Sequence, residues 1–530
     1  MSVFSSIAKK KPTVSSAIKI LETVEDPALF SSLTQEQQQK AIDNLKQSHI
    51  NNRGDQSTVE KGKFNSVYQN DTAKLFEKLN QVSPSFCLAK WFNVSIHIPT
   101  GRTHSCYHPP AHYIPLEELE KNSSALHNTE HKKQQRKMML IGERPKECFF
   151  CWNIEDSGKQ LSDRAYRSKD VYKPGIFKEV AKLGATGDAK PRYVEVNFNQ
   201  ACNLKCSYCS PHLSTSWFKE SKEYGPIKLA DGRTHNDLAW MQQANVMPDN
   251  GPDNPYLAAF WKWFPDVYPD LHTFRMTGGE PLMDKNTFRV FDYVLDNPIN
   301  PNLHLSITSN CSPPGDQWEK FLNSLNALEA ADAIDHFMLY CSLDSWGKQA
   351  EYIRHGLDFD QLYHNVTEYL RRGRKHSLTF IVTFCAMSIP GWMTYIQNIL
   401  ELRKRFNTDR QLIWFDVPML MDPSWLSLKI LPTGDLQVLR DSIEYMKDNK
   451  ETAATQFKGF KDFEIAKVQR LYDWAAQPLD NEQALIERAN FYSFYQEHDR
   501  RRNTDFAKTF PEFEELVKLS SRASKIYKLK

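Results

Sequence analysis

The sequence lacks an excess of charge, a long apolar run and a secretory signal, and each absence excludes a class of protein. Lys and Arg number 67 against 65 Asp and Glu, so the formal net charge is +2. This balance gives no general attraction to nucleic acid or to an anionic membrane. No stretch approaches the ~18 uninterrupted apolar residues of a membrane helix, and the N-terminal residues MSVFSSIAKKKP contain no apolar signal core. We therefore expect a cytoplasmic protein without a membrane or nucleic-acid partner.

The bulk composition is that of a globular protein. Hydrophobic residues make up 40% of the 530 residues and charged residues 25%, which excludes collagen, complete disorder and a bare coiled coil. We predict four parts: a helical and partly flexible segment (1–80), a cysteine-containing module (81–190), an α/β domain (191–430) and a helical C-terminal region (431–530). Within the first part, the polar stretch 28–45 predicts one short helix.

The α/β domain is predicted from six strand-like runs separated by helical patterns. The runs are YVEVNF (193–198), HTFRMT (272–277), LHLSIT (303–308), HFMLYCSL (336–343), LTFIVTF (378–384) and LIWFDV (412–417). Strands that alternate with helices indicate a parallel α/β sheet or a partial barrel.

Ten cysteines are present, and in a large cytosolic protein spaced cysteines are more often metal ligands or catalytic groups than disulfides. Cys202, Cys206 and Cys209 form a C-x3-C-x2-C pattern directly after the first predicted strand. In a parallel barrel, the loop after a strand opens onto the active face. Three thiolates hold three irons of a [4Fe-4S] cube and leave the fourth iron open, as catalysis requires. A structural zinc site is the alternative for this triplet.

At these residues the chain resembles the radical S-adenosylmethionine (SAM) superfamily, over about residues 191–430. Tyr208 supplies the aromatic residue before the last cysteine, and Gly278-Gly279-Glu280-Pro281 supplies the glycine-rich turn after the second strand. The resemblance implies an α/β fold with a partial (β/α)6 barrel of the TIM type, a [4Fe-4S] cluster on the three cysteines, and SAM as a cofactor.

The resemblance also implies a set of SAM contacts. They are Tyr208, Gly278, Gly279, Glu280, Pro281, Ser309, Asn310, Ser342, Asp344, Arg354 and Val417. The planar fork of an arginine suits the SAM carboxylate, and alternation puts Ser342 and Asp344 on one face. Ordinary strand-end hydrogen bonds, a helix cap at Asp344 and a surface ion pair at Arg354 are the alternatives.

Four further cysteines precede the α/β domain. Cys87 and Cys106 flank a predicted hairpin with its turn at residues 99–101, and Cys148 and Cys151 form C-x2-C. This pattern resembles the SPASM/twitch modules, and its position before the barrel resembles the N-terminal-twitch subfamily. The resemblance implies a second, auxiliary [4Fe-4S] cluster. Two alternatives stay open: a structural zinc knuckle, and Cys87 as a core residue that leaves a three-cysteine site.

The resemblance further implies a function. The reduced cluster would cleave SAM to a 5′-deoxyadenosyl radical that abstracts hydrogen from a substrate, with the auxiliary cluster assisting and a flavodoxin- or ferredoxin-like protein donating electrons. The predicted substrate is a peptide or protein side chain. The alternatives are a small metabolite, such as a sugar or nucleotide, and a non-catalytic iron–sulfur protein. No catalytic acid, base or hydrogen donor is identified.

The remaining three cysteines and two basic runs are interpreted as structural. Cys311, Cys341 and Cys385 lie on or after predicted strands and are expected in the core, with a third cluster as the alternative. Two basic runs, residues 131–137 and 500–502, are expected on solvated helix faces; contact of the second run with an anionic substrate is its alternative.

Overall fold

The computed structural model describes residues 13–23, 63–158, 161–373, 375–477 and 479–528. The helix predicted at 28–45 lies outside these residues. The chain forms two compact units: unit 1 contains Met1–Val196 and Pro252–Phe274, and unit 2 contains Asn197–Gly251 and Arg275–Lys530. The four-part division stays a prediction. No helix in the described ranges is long and apolar enough to cross a membrane.

Helices form most of the regular structure of the described residues. They are α1 (Val14–Thr23), α2 (Lys63–Val82), α3 (Ala89–Phe92), α4 (Leu116–Lys121), α5 (Glu130–Leu140), α6 (Phe149–Ser157), α7 (Asp163–Val171), α8 (Ile176–Leu183), α9 (Thr215–Tyr224), α10 (Leu238–Gln243), α11 (Pro255–Val267), α12 (Lys285–Asp296), α13 (Gln317–Ala330), α14 (Lys348–Ile353), α15 (Phe359–Arg372), α16 (Trp392–Phe406), α17 (Gln437–Asp448), α18 (Asp462–Ala475), α19 (Asn481–Arg502), α20 (Phe506–Thr509) and α21 (Glu514–Lys528).

The strands include all six that the sequence predicts. In chain order they are β1 (Asn93–His97), β2 (Arg102–His104), β3 (His112–Tyr113), β4 (Tyr193–Asn197), β5 (Lys205–Cys206), β6 (Ile227–Lys228), β7 (Thr234–His235), β8 (Thr273–Thr277), β9 (His304–Ser309), β10 (His336–Ser342), β11 (Arg354–His355), β12 (His376–Ile381) and β13 (Ile413–Asp416). Short 3-10 turns join several elements.

Unit 1 contains the predicted hairpin. Strands β1 and β2 pair antiparallel, with Ser95 opposite His104, and β3 pairs antiparallel with β2. Gly101 follows the 3-10 turn at 98–100 with a φ of 59°, a conformation that glycine adopts without strain. The hairpin prediction is confirmed, and its turn lies where the sequence puts it.

The basic run at 131–137 differs from its prediction. It lies on α5, but Lys132 and Arg136 are fully buried. Arg136 donates to the carbonyl of Lys90 over 3.0 Å and to Asn128 over 2.8 Å. The solvated-face prediction is wrong for these two residues, because partners distant in the sequence satisfy their donors.

Unit 2 contains a parallel sheet. Strands β9, β10, β12 and β13 pair parallel to one another, and the strand order across this part is β13-β12-β10-β9-β8. On β10, Leu339 and Cys341 are buried, whereas Tyr340 and Ser342 on the other face are half-buried. The prediction of a mixed α/β fold with parallel strands is confirmed, and closure into a partial barrel stays a prediction.

The prediction that the three single cysteines lie in the core of unit 2 is also confirmed. Cys311, Cys341 and Cys385 are free, fully buried thiols. In the C-terminal region the aromatic face of α19 is buried through Phe491 and Phe494.

Candidate functional site

The loop between β4 and α9 carries the three-cysteine motif. Cys206 ends β5, which pairs antiparallel with β11 so that Cys206 lies opposite Arg354. The amide of Cys209 donates to the carbonyl of Cys206 over 2.9 Å. Cys206 is buried, Cys202 and Cys209 are half-buried, and all three thiols are free. The pairing of β5 with β11 therefore fixes the position of Cys206, the middle cysteine of the motif.

The three thiols lie within one another's electric field. Burial raises the pKa of Cys202, and the charges of Cys206 and Cys209 raise it further. Burial also raises the pKa of Cys209 to about 12, with the charge of Cys206 as the next cause. Thiolates placed this close repel one another, and a metal group of positive charge relieves the repulsion.

The turn after β8, residues 278–281, packs against the start of the cysteine loop. The amide of Gly279 donates to the carbonyl of Asn199 over 3.2 Å, and the amide of Glu280 donates to that of Ala201 over 2.6 Å. A Cβ on Gly279 would lie 2.3 Å from the Ala201 carbonyl oxygen. Gly278 has a φ of 127°, which favours glycine. Contact between turn and loop therefore requires glycine here, whatever ligand the turn binds.

Glu280 joins this turn to the end of β9. Its buried carboxylate accepts from the Ser309 hydroxyl at 2.8 Å, from the Asn310 amide at 2.7 Å and from the Leu282 amide at 3.1 Å. Burial raises the pKa of Glu280 to about 7 in spite of these bonds. Pro281 is buried and begins the next 3-10 turn. The oxygens of Glu280 thus hold the chain itself in place.

Polar side chains at the end of β9 fasten the cysteine loop. Asn310 Nδ2 donates to Asn203 Oδ1 over 2.8 Å, and Asn203 Nδ2 donates to the Ser312 carbonyl over 2.8 Å. The Ser309 hydroxyl oxygen accepts from the amide of Cys311. Cys311 has a φ of 55°, which is uncommon for a residue other than glycine.

Asp344, Arg354 and Tyr208 form a buried polar cluster that touches the motif. Arg354 Nε lies 2.8 Å from Asp344 Oδ2, and Nη2 donates to Oδ1 over 3.1 Å. The Tyr208 hydroxyl donates to Oδ2 over 2.7 Å, and the Thr383 amide donates to Oδ1 over 2.8 Å. Arg354 Nη1 lies 3.6 Å from Cys206 Sγ. Burial lowers the pKa of Arg354, but the charges of Asp344, Tyr208 and Cys206 and the hydrogen bond to Asp344 together outweigh burial, and the net pKa is well raised.

The last two candidate SAM contacts lie at strand ends. Ser342 ends β10 and is half-buried. Val417 directly follows β13 and is buried, and its amide donates to Asp416 Oδ1 over 3.0 Å. In the described part of the chain, neither side chain has a hydrogen bond to the cysteine loop.

Sequence reasoning missed two side chains that hold the cysteine loop. Trp217 Nε1 donates to the carbonyl of Cys206 over 2.8 Å. Arg502, at the end of α19, donates to the Lys205 carbonyl over 3.1 Å and pairs with Glu220 at 3.1 Å. The C-terminal helices therefore contribute directly to the loop.

The prediction that the run 500–502 lies on an exposed face is wrong for two of its three residues. The Arg501 and Arg502 side chains are 1% and 0% exposed, whereas that of Arg500 is 57% exposed. Arg501 pairs with Glu497 at 2.8 Å and donates to the carbonyl of Gly225 over 3.0 Å. Nothing in the local sequence distinguishes the buried arginines from the exposed one.

The four upstream cysteines line one cavity within unit 1. They are Cys87, Cys106, Cys148 and Cys151, and the cavity has a volume of about 30 Å³. Burial raises the pKa of Cys106 to about 12, with the charges of Cys87 and Cys148 contributing. Burial and the charges of Cys87 and Cys106 also raise the pKa of Cys151. The four thiols therefore converge.

Local structure brings the four cysteines to this cavity. Cys87 precedes α3, Cys106 follows β2, and Cys148 and Cys151 lie at the first turn of α6. Cys87 is half-buried at the edge of the unit 1 core, and its sulfur lies 3.7 Å from the Ser168 hydroxyl.

No group of three His, Cys, Asp or Glu side chains in the described ranges is arranged to hold one metal ion. Four thiolates around one zinc ion, at about 2.3 Å each, lie closer together than thiolates on the corners of an iron–sulfur cube.

Comparison with known proteins gives weak similarities. No family model matches the chain, and no curated protein matches it. Among solved structures, anSMEcpe with bound AdoMet and the Cp18Cys peptide aligns at 14% identity and a TM-score of 0.28, over 48% of this chain and 59% of that one.

Two structures of SuiB from Streptococcus suis also align. SuiB bound to S-adenosylmethionine gives 12% identity and a TM-score of 0.29, over 55% of this chain and 52% of that one. SuiB bound to the precursor peptide SuiA gives 14% identity and a TM-score of 0.30, over 68% and 69%. The chain thus spans between about half and about 70% of the aligned proteins. Similarity at these TM-scores does not establish a shared fold.

Proposed function

We propose that the chain is a radical SAM enzyme whose catalytic cluster is held by Cys202, Cys206 and Cys209. The observation that carries the proposal is the packing of the GGEP turn against the cysteine loop, through Gly279 and Glu280. The two motifs on which the resemblance depends are thereby parts of one local structure. When bound, a reduced [4Fe-4S] cluster and SAM supply a one-electron cleavage that yields a 5′-deoxyadenosyl radical for hydrogen abstraction.

The residues of this site fit the cofactors by their chemistry. Three free thiols are the donor set of an iron–sulfur cube with one open iron, and the Arg354 cation balances negative charge at Cys206. Asn197 Oδ1 and Gln200 Oε1, at the start of the loop, are buried acceptors without a donor in the described part of the chain. An amino group, which the resemblance assigns to the neighbouring turn, is a donor of the kind they require.

The residues around the three-cysteine motif position the turn, the loop and Arg354, and they exclude water from the site. Glu280 fixes the turn to the end of β9, and Asn310 fixes the loop to the same strand end. Asp344 holds the guanidinium of Arg354 beside Cys206. Burial of these groups keeps water away from a site where stray hydrogen donors would quench a radical.

We further propose that the four-cysteine cavity holds an auxiliary [4Fe-4S] cluster. All four cysteines line one cavity, which supports a thiolate-bound metal group, and the resemblance of their spacing to the SPASM/twitch modules favours an iron–sulfur cluster over a zinc ion. We propose a flavodoxin- or ferredoxin-like electron donor and a cytoplasmic location. The proposed substrate is a peptide or protein side chain, because the module resembles those of peptide-modifying radical SAM enzymes.

The proposal predicts how iron and activity divide between the two sites. Anaerobically reconstituted protein should hold about eight iron atoms and release 5′-deoxyadenosine from SAM under reducing conditions. Replacing Cys202, Cys206 and Cys209 by serine should leave about four irons and abolish that product. Replacing Cys148 and Cys151 by serine should also leave about four irons but preserve SAM cleavage.

Cys385→Ser is the matched control, because this buried thiol is not one of the proposed ligands of either site; it should keep the full iron content. Formation of 5′-deoxyadenosine without the three motif cysteines would contradict the proposed catalytic cluster. About four irons with one zinc in the wild type would contradict the auxiliary cluster.

A further inference from the structure

Lys90 is a buried lysine on the wall of the four-cysteine cavity. Its ammonium donates to Glu147 Oε1 over 2.8 Å and to Gln135 Oε1 over 2.6 Å. Burial normally drives a lysine towards its neutral form. Here burial is outweighed by the charges of Cys148, Glu147 and Cys106 together with the hydrogen bond to Glu147, and the pKa of Lys90 is raised. Its ion pair with Glu147 therefore holds Lys90 as a buried cation in the cavity wall.

The other cations on the cavity wall are engaged elsewhere. Arg164 lies 2.8 Å from Glu155, and Arg167 lies 2.6 Å from Asp170. Each of these ion pairs is already balanced. Lys90 is also paired, but its partner Glu147 directly precedes Cys148, so this ion pair lies beside the candidate ligands.

A metal group held by four thiolates carries net negative charge, whether it is an iron–sulfur cube or a zinc ion. Burial of that charge is costly unless an opposite charge lies close by. We propose that Lys90, anchored by Glu147, is a positioning residue that balances the negative charge of the thiolate-bound group in this cavity. The inference rests on the proposed auxiliary site.

The test measures a reduction potential in protein that holds one cluster. With Cys202, Cys206 and Cys209 replaced by serine, the four-cysteine site is the expected iron site. Lys90→Met removes a positive charge and should shift the midpoint potential to more negative values. At the midpoint of the parent protein, the ratio of reduced to oxidised cluster should fall about tenfold. The readout is a redox titration followed by electron paramagnetic resonance.

The companion variant is Glu147→Gln, which removes a negative charge and leaves Lys90 in place. It should shift the midpoint potential in the opposite direction, to more positive values. A purely structural role for the pair would give shifts of one sign or none. Lys90→Arg keeps the charge and should restore a potential close to that of the parent.

Lys132→Met is the matched control for the loss of a buried lysine. Lys132 is equally buried, but it donates to the Asn93 carbonyl over 3.2 Å and does not line the cavity. If Lys90→Met loses its cluster outright, the measurement becomes the iron retained by folded protein, checked by circular dichroism. Lys90→Met should then retain less than half the iron of Lys132→Met.

Two results would overturn the inference. One is an unchanged potential in Lys90→Met; the other is a shift of the same sign in Lys90→Met and Glu147→Gln. A parent protein that binds zinc instead of iron contradicts the auxiliary cluster alone. In that case, Lys90→Met should still weaken zinc binding about tenfold in a chelator competition, and an unchanged zinc affinity would overturn the inference by itself.

Discussion

Arg354 has contacts within the chain besides the SAM contact that the resemblance implies for it. The resemblance assigns it to the carboxylate of SAM. In the structure its guanidinium is paired with Asp344, and its Nη1 reaches the sulfur of Cys206. Asp344 is fully buried, so each charge of this pair depends on the other. Removing one partner of a buried ion pair lowers the free energy of unfolding far more than removing one partner of an exposed pair.

We therefore predict that Arg354→Met lowers the free energy of unfolding of the iron-free protein by about 3–5 kcal/mol. The double variant Arg354→Met/Asp344→Asn should recover part of this loss, because it leaves no unpaired buried charge. Urea unfolding of the two single variants and the double variant measures the coupling.

The control is Lys348→Met. Lys348 is 87% exposed and pairs with Glu351 at 2.7 Å, and its loss should leave the free energy of unfolding almost unchanged. A cost for Arg354→Met no larger than that of this control would refute the structural importance of the buried pair.

At the scale of elements, the cysteine loop depends on the turn after β8. The amides of Gly279 and Glu280 bond the carbonyls of the loop, so loop and turn behave as one element. A methyl group on Gly279 would meet backbone, which has no flexible side chain to move aside.

Gly279→Ala is accordingly predicted to remove iron from the three-cysteine motif while sparing the four-cysteine site. Iron per protein should fall from about eight to about four, measured after reconstitution by colorimetric iron assay. Gly434→Ala is the matched control in the same unit, since nothing lies within 4 Å of a Cβ added there. Full iron content in Gly279→Ala would contradict the prediction, because the three-cysteine motif would then bind iron without close contact between the turn and the loop.

At the scale of the whole molecule, burial of histidine sets the response to acid. Burial is the main cause that lowers the pKa of nine histidines among the described residues: His104, His112, His127, His212, His235, His336, His355, His376 and His498. For His498 the pKa falls to about 3, whereas in the unfolded chain it is about 6.5. Below pH 6.5 the unfolded state therefore binds protons that the folded state does not, and stability declines as pH falls.

We predict that His498→Gln reduces this acid sensitivity. Between pH 6.5 and pH 5, wild-type protein should lose about 2 kcal/mol that the variant does not lose. Urea unfolding of iron-free protein at the two pH values gives the comparison, and His364→Gln, at an exposed position, is the control. An equal loss in wild type and His498→Gln would disprove the assignment.

The features that the sequence predicts well are those with local signals. The six strands are apolar runs bounded by turns, and the cysteine spacings are visible in the chain itself. Burial of charged residues has no such signal. Arg502 and its partner Glu220 are separated by 282 positions, so the sequence around the arginine gives no indication of the pairing. The burial of Lys132 and Arg136 lacks a local signal for the same reason, because they donate to the carbonyls of Asn93 and Lys90 on other elements. A basic run on a helix by itself predicts a solvated face.

The separation of contacts along the chain also has a consequence for synthesis. The hydrogen bond from Arg502 to the Lys205 carbonyl beside the motif cannot form until Arg502, 297 positions later, has been synthesised. At about 5–20 residues per second, a ribosome takes roughly 15–60 s to cover that distance. During this interval the three thiols are outside the ribosome without their final support, and they are open to oxidants and to unintended metals. Expression under low oxygen, with the iron supply raised before induction, should therefore protect the three thiols until Arg502 has been synthesised.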